Sequence, residues 1–329
     1  MADKVVLLTG AGFTHNYGGP LGSEMWSWIF NNRKVQASPK VREELLKNPS
    51  FEAVYNDIME GSFNDNEKMA IREATREAYN DLDSVLSSYS ADSNDMLQDF
   101  ISLFGSQGQA GYIFTLNQDL FVERKYYRFE RSGRKPLIPG VEQNMNWFNP
   151  NYKDHKIKIG KDINSEEVKT KCRNPETFYY IKLHGSQNWF ADDETGRMII
   201  GRAKKQKIIA EPLLRAYFDV FNEVLNIGNV QLVILGYGFG DEHINESIYN
   251  AIRKSSLRIH IVTPVAHDMF CEILSIKTKD MIRREPVSPI IWNAVAGYYQ
   301  CTLKQMFPAD RSESIYYKNF KKNLFNLSK

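Results

Sequence analysis

A four-residue apolar run, Val5-Val6-Leu7-Leu8, leads through Thr9 straight into Gly10-Ala11-Gly12, with Gly18-Gly19-Pro20 close behind. A short run without polar alternation is the pattern of a strand buried on both faces, as in parallel sheets covered by helices. Beyond Pro20, Leu21, Met25, Trp28 and Ile29 recur at i, i+4, i+7 and i+8, so the spacing predicts a helix with one buried stripe. Strand, glycine turn and helix make the opening of a βαβ unit. A chain that begins this way is committed early to an α/β architecture.

Strand patterns return at 112–115, 178–183, 230–235 and 257–262, with helical stretches between them. That alternation predicts a Rossmann-like, doubly wound parallel sheet. The sheet domain takes residues 1–34 and 105–329, and residues 35–104 read as an inserted helical module. Within the module, Ser38-Pro39 and Pro49-Ser50 delimit two short helices, and Ala70, Ala74, Ala78 and Leu82 recur every four residues along a longer one. Residues 128–176 read as an irregular insertion, the kind of long loop that is usually functional. Near the end, Trp292, Val295 and Tyr299 read as one side of a further helix. Together with the module, that helix offers a surface for self-assembly.

Charge is nearly balanced, 42 Lys and Arg against 40 Asp and Glu, and this excludes a dedicated nucleic-acid arm. Arg202-Ala-Lys-Lys-Gln-Lys207 and Lys321-Lys322 read as solvated faces, so no nucleic-acid contact is expected from this chain. The 3 cysteines, Cys172, Cys271 and Cys301, contain no Cys-x-x-Cys pair. A four-cysteine zinc site and a disulfide framework are thereby excluded, and no metal is expected. Such sparse use fits a reducing cytoplasm. No apolar run approaches the roughly 20 residues of a spanning helix, so no membrane contact is expected.

Four strand ends carry the chemistry: residues 10–14, 115–119, 183–185 and 236–241. In an open parallel sheet the ligand crevice lies outside the carboxyl ends of the strands, so these clusters are placed to converge. A glycine turn opening a helix can present amides to a phosphate. The dinucleotide fingerprint is incomplete, however, because His15 stands where a third glycine would, and a tight turn without a ligand remains open. Asn117 and Asp119 set an amide and a carboxylate just past a strand. His184 precedes Gly185, which admits a close approach by substrate, whereas His15, His155, His243, His260 and His267 read as structural. Asp241 reads as the N-cap of the following helix.

In this order, Gly10-Ala11-Gly12-Phe13-Thr14, Thr115-Leu116-Asn117-Gln118-Asp119 and Leu183-His184-Gly185 resemble the three NAD-binding motifs of sirtuins. Leu235-Gly-Tyr-Gly-Phe-Gly-Asp-Glu-His-Ile-Asn245 is similar to the matching segment of bacterial sirtuin-like NADases of antiphage defence, as is Asp119 followed by Glu123-Arg124. The resemblance covers residues 4–30 and 110–265. It implies that Gly10, Ala11, Gly12 and Thr14 cradle the pyrophosphate of NAD+, with Phe13 among the cofactor-binding residues. By the same resemblance Asn117 orients the nicotinamide ribose or the attacking water, Asp119 holds the nicotinamide end and His184 is the base. Gly236, Tyr237 and Gly238 would line the adenosine portion.

Two departures bear on the reaction. Deacylating sirtuins carry a zinc module of paired cysteines after the catalytic histidine, and no cysteine lies here between Cys172 and Cys271. Their Pro-Asp-Phe-Arg tetrad is also missing, since Pro20 leads into Leu21-Gly22-Ser23. Both favour water as the acceptor, hence an NAD+ glycohydrolase releasing nicotinamide and ADP-ribose as a toxic abortive-infection effector. The alternatives are an NAD-dependent deacylase or ADP-ribosyltransferase, and a non-catalytic module that senses NAD or ADP-ribose. The resemblance further implies a homo-oligomer and a separate regulatory chain such as a HerA-type ATPase.

Overall fold

The computed structural model describes residues 4–88, 95–126, 136–141, 156–160, 162–191, 196–281 and 285–326. Among the described residues ten strands follow in chain order: β1 (Lys4–Thr9), β2 (Gly111–Thr115), β3 (Pro136–Leu137), β4 (Ile157–Lys158) and β5 (Phe178–Lys182), then β6 (Gly185–Phe190), β7 (Gly196–Met198), β8 (Val230–Leu235), β9 (Arg258–Thr263) and β10 (Val295–Gln300). Seven of them form one sheet in the order β10-β9-β8-β1-β2-β5-β3, with every neighbouring pair parallel. Helices on its flanks complete the Rossmann-like, doubly wound architecture. β4, β6 and β7 make a second, smaller sheet.

Strand order explains where a ligand can enter. On one side of β1 the sheet extends through β2, β5 and β3, and the later part of the chain adds β8, β9 and β10 on the other side. The order reverses between β1 and β8, and such a switch point opens a crevice because the flanking connections leave in opposite directions. Every residue of β2, β5 and β8 is buried, which is why these strands read as continuous apolar runs. On the helix Pro212–Leu225, the buried Phe221 sets its ring edge-on to Phe114 of β2 at 4.9 Å. Truncating a side chain of that size in a closed core costs about 3–5 kcal/mol.

The long helix Asp65–Ser88 buries Ala70, Ala74, Ala78 and Leu82, the predicted four-residue stripe. A buried ion pair between Asp83 and Arg124 (2.8 Å) ties it to the helix Phe121–Tyr126 behind β2. Met25 and Ile29 are buried on the helix Gly22–Phe30, while Leu21 precedes that helix and is exposed. The 128–176 insertion contributes β3, β4 and the helix Ser165–Lys171, capped by the side chain of Asn164. Residues 128–135, 142–155 (His155 included) and 161 lie outside the described residues.

The helix expected along Trp292, Val295 and Tyr299 is not formed. Trp292 ends the helix Val287–Asn293, whereas Val295 and Tyr299 belong to edge strand β10. Three apolar residues at helical spacing were outweighed by β-favouring neighbours in Tyr298-Tyr299 and by pairing with β9. Gly297 is required there, since a Cβ would lie 2.4 Å from Nδ1 of His260. Tyr299 is buried and packs on Phe320 at 5.5 Å, so it offers no surface for assembly. Among the described residues, no helix is long and apolar enough to cross a membrane.

Candidate active site

The carboxyl ends of the central strands open onto one cavity of about 890 Å³, within the range of small-molecule sites. Gly10, Ala11, Gly12 and Thr14 reach it from β1, Asn117 and Asp119 from β2, and His184 from β5. Gly236, Tyr237 and Gly238 reach it from β8. Phe13 does not. Its ring is 1% exposed and packs edge-on to Phe121 at 5.5 Å, because the third residue of the short helix Ala11–His15 faces the core.

The glycines are used mainly against each other. Gly10 N–H donates to Leu235 O (3.1 Å), Gly12 N–H to Gly236 O (2.9 Å) and Phe13 N–H to Gly10 O (2.9 Å). A Cβ on Gly12 would sit 2.8 Å from the Cα of Gly236, and one on Gly236, whose φ is +69°, would sit 2.2 Å from Phe13 N. Backbone therefore lies directly on backbone between β1 and β8. Ala11 opens the helix, and its own N–H, which has no intrahelical acceptor, can face the cavity. Gly238 has nothing within 4 Å of its would-be Cβ. Gly185 serves a different purpose from the one expected: at φ +76° its would-be Cβ points at Arg197 O, 1.9 Å away, so it accommodates β7 rather than substrate.

Hydroxyls at the strand ends set Asn117. Thr9 donates its Oγ1–H to Thr115 Oγ1 (2.8 Å), and Thr115 Oγ1 in turn accepts the Asn117 N–H at 3.0 Å. The Asn117 side-chain amide donates to Thr14 Oγ1 (3.4 Å), which leaves its carbonyl oxygen as an acceptor. Asp119, 5% exposed, accepts the Phe121 N–H at 3.0 Å. Burial pushes its carboxyl up to about 6, against the pull of Lys182. Lys182 is itself committed to Glu123 at 2.7 Å. The buried ammonium thus bridges the Glu123 carboxylate and the backbone carbonyl of Asp119.

His184 is 3% exposed, and its Nε2 stands 3.1 Å from Nε2 of His243. Burial drives His184 down to about 3 and His243 to about 4, so both imidazoles are neutral at physiological pH. Asp241 occupies the N-cap position of the helix Glu242–Ser255 but makes no side-chain capping bond, contrary to the expected role. Its carboxylate instead accepts from Lys204 (2.8 Å), which also pairs with Glu52 at 2.8 Å. Burial alone would raise the Asp241 carboxyl, but the His184 ring and Lys204 outweigh it and hold it at about 2. The hydroxyl of Tyr237 does the anchoring, accepting the Asp241 N–H (3.1 Å) and donating to Asn245 Oδ1 (2.8 Å).

A family model described as the SIR2-like domain matches residues 111–279, half of the chain. The chain belongs to the SIR2-like family. No curated protein matches it. The SIR2-like span runs from β2 to the helix His267–Thr278 and contains Asn117, Asp119, His184 and Asp241, with the Gly10–Thr14 turn preceding it. SIR2-like domains are NAD-dependent enzymes, which directs this cavity toward that nucleotide.

Four residues at the SIR2-like cavity escaped the sequence reading. His243 reads with the structural histidines and stands behind the cavity wall against His184, although Asp241-x-His243 at a helix start marks a paired site. Lys204 lies in the basic run read as a solvated face. Glu52 and Tyr79 come from the helical module and line the same cavity, and Tyr79 donates to the Gln118 side chain. No local pattern announces residues that arrive from a separate helix. The expectation of a metal-free chain rests on cysteines alone, yet donor atoms of His184, Asp241 and His243 lie within 4.8 Å of one another.

Proposed function

We propose that this cavity hydrolyses NAD+ to nicotinamide and ADP-ribose. The observation that carries the reading is the pairing of β2 with β5. Thr115 is in register with Lys182, so Asn117 and His184, each two residues further on, emerge side by side. Neutral amide and neutral imidazole suit an oxocarbenium-like transition state, where a fixed cation would oppose the developing charge. The bond between the ribose C1′ and the nicotinamide nitrogen breaks, and its electron pair leaves with nicotinamide. Water held by Asn117 attacks C1′ and gives its proton to His184. Asp119 lies at the nicotinamide end, while Gly236, Tyr237 and Gly238 line the adenosine portion.

Water is favoured as the acceptor because the segment after His184, where deacylating relatives carry their cysteine-bound zinc, here forms β6 and β7 without a cysteine. The likeness of the 235–245 segment to antiphage NADases supports an effector role in abortive infection. The deciding assay incubates the protein with NAD+, with and without an acetylated peptide, and measures nicotinamide, ADP-ribose and O-acetyl-ADP-ribose. Peptide-independent release of nicotinamide with equimolar ADP-ribose is expected. Release that requires the peptide would overturn hydrolysis in favour of acyl transfer.

A further inference from the structure

We propose that His184, His243 and Asp241 form a binding site for a divalent cation of the zinc class, with one coordination position open to the cavity. Two imidazoles and one carboxylate are an established donor set for such ions, and three protein ligands leave a fourth position for water or substrate. Zinc–nitrogen bonds of about 2.0–2.1 Å at a tetrahedral angle hold two ring nitrogens about 3.3 Å apart. The two Nε2 atoms stand 3.1 Å apart, so a small outward movement of either ring admits the ion.

The surroundings are those of held ligands. The Leu116 backbone lies within hydrogen-bonding reach of the His184 ring, and Lys204 holds one oxygen of Asp241. Backbone groups on a ligating histidine and donors on a ligating carboxylate are the partners that fix such groups. The ring of His243 is braced by Phe218 at 5.7 Å. Charge agrees. Glu52, Lys204 and Asp241 form a linked group of two carboxylates and one ammonium, leaving one negative charge beside two neutral rings. Nearby Lys205 is matched by Glu246 at 2.8 Å. His184 and Asp241 line the cavity, which provides the path of entry.

Without a cation the two Nε2 atoms share one N–H···N bond. On binding, that proton moves to Nδ1 of His243 and both lone pairs turn to the ion. The ion would then occupy the nitrogen that the hydrolytic reading assigns to the proton from water, so occupancy and hydrolysis exclude one another. The site itself does not rest on that reading.

The test uses the full chain stripped with chelator, in the absence of NAD+. Zn2+ is titrated by calorimetry and Co2+ by visible absorption. One ion per chain is expected, with the intense ligand-field bands of low-symmetry cobalt. His243→Ala and Asp241→Asn should each lower affinity by about 100-fold or more, and Lys204→Met by about 10-fold through loss of support to Asp241. His260→Ala, which removes a buried histidine bonded to Gln231 on the sheet, should bind as the wild type does. Melting curves identify any variant that fails to fold, and His243→Gln then replaces His243→Ala. Equal uptake by wild type and the His243 variant, or no uptake by either, overturns the site. Neither result bears on nicotinamide release, which the NAD+ assay decides separately.

Discussion

The β1–β8 side of the cavity and the β5 side are built on opposite terms. On the first, Gly10, Gly12 and Gly236 bring two turns into direct backbone contact, with amides donating across the junction. On the second, His184 meets His243 and Asp241 from the start of the helix Glu242–Ser255, two buried imidazoles and a half-buried carboxylate, each held by a specific partner. A wall of backbone tolerates no added atom but takes no part in proton traffic. A wall of side chains can lose a group and keep its shape. Substitutions on the first side should therefore break the fold, and substitutions on the second should break the chemistry.

Gly236→Ala is the hardest test of the backbone side. Its Cβ would lie 2.2 Å from Phe13 N and 2.5 Å from Gly12 C, at a φ of +69° that alanine disfavours. Steric overlap and strained φ together should cost about 4 kcal/mol or more. Urea unfolding should show a midpoint far below wild type, or little folded protein at all. A variant as stable as wild type would show that the two turns do not touch as described.

On the side-chain wall, His184→Ala should lower the rate of nicotinamide release by about 100- to 10,000-fold while the protein stays folded. Stability should also respond to acid. An unfolded histidine takes a proton near pH 6.5, but folded His184 resists until about pH 3. Between those values the unfolded chain binds more protons, so stability falls as pH falls. His184→Ala should make that decline shallower, which melts across pH 4–7 would read.

Asp119 gives the opposite slope. It keeps its proton to about pH 6, against about 3.8 when unfolded, so the native state binds more protons within that window. Stability contributed by the protonated form is present below pH 3.8 and is lost as pH rises through 6, by about 3 kcal/mol in all. Asp119→Asn should remove this loss and raise the melting midpoint above pH 6. An unchanged midpoint at pH 7 would mean that Lys182 already compensates the carboxylate.

The two walls were also unequally legible in the sequence. Short apolar runs named β1, β2, β5 and β8 because burial on both faces leaves a local compositional trace. Asn117 and His184 could be picked out because each stands just past such a run. Edge strand β10 could not, since Val295 and Tyr299, taken with the preceding Trp292, fitted a helical period. His243, Lys204 and Glu52 are relational: each acquires meaning only from a side chain on another element. Lys204 lies 37 residues from Asp241 along the chain, and nothing in a basic run reveals that one of its members is held half-buried between carboxylates.

Gly238→Ala is the smallest expected effect and the sharpest control. It lies two residues from Gly236, on the same turn, yet its would-be Cβ meets nothing within 4 Å and its φ is not in the left-handed range. Stability should change by about 0.5 kcal/mol or less. The position lines the cavity, however, so a methyl group there enters space that the proposed adenosine portion would use. Calorimetry should show weaker NAD+ binding with an unchanged melting midpoint. Unaltered affinity would move the nucleotide away from the β8 turn, and a fall in stability comparable to Gly236→Ala would abolish the distinction between the packed part of that turn and its open part.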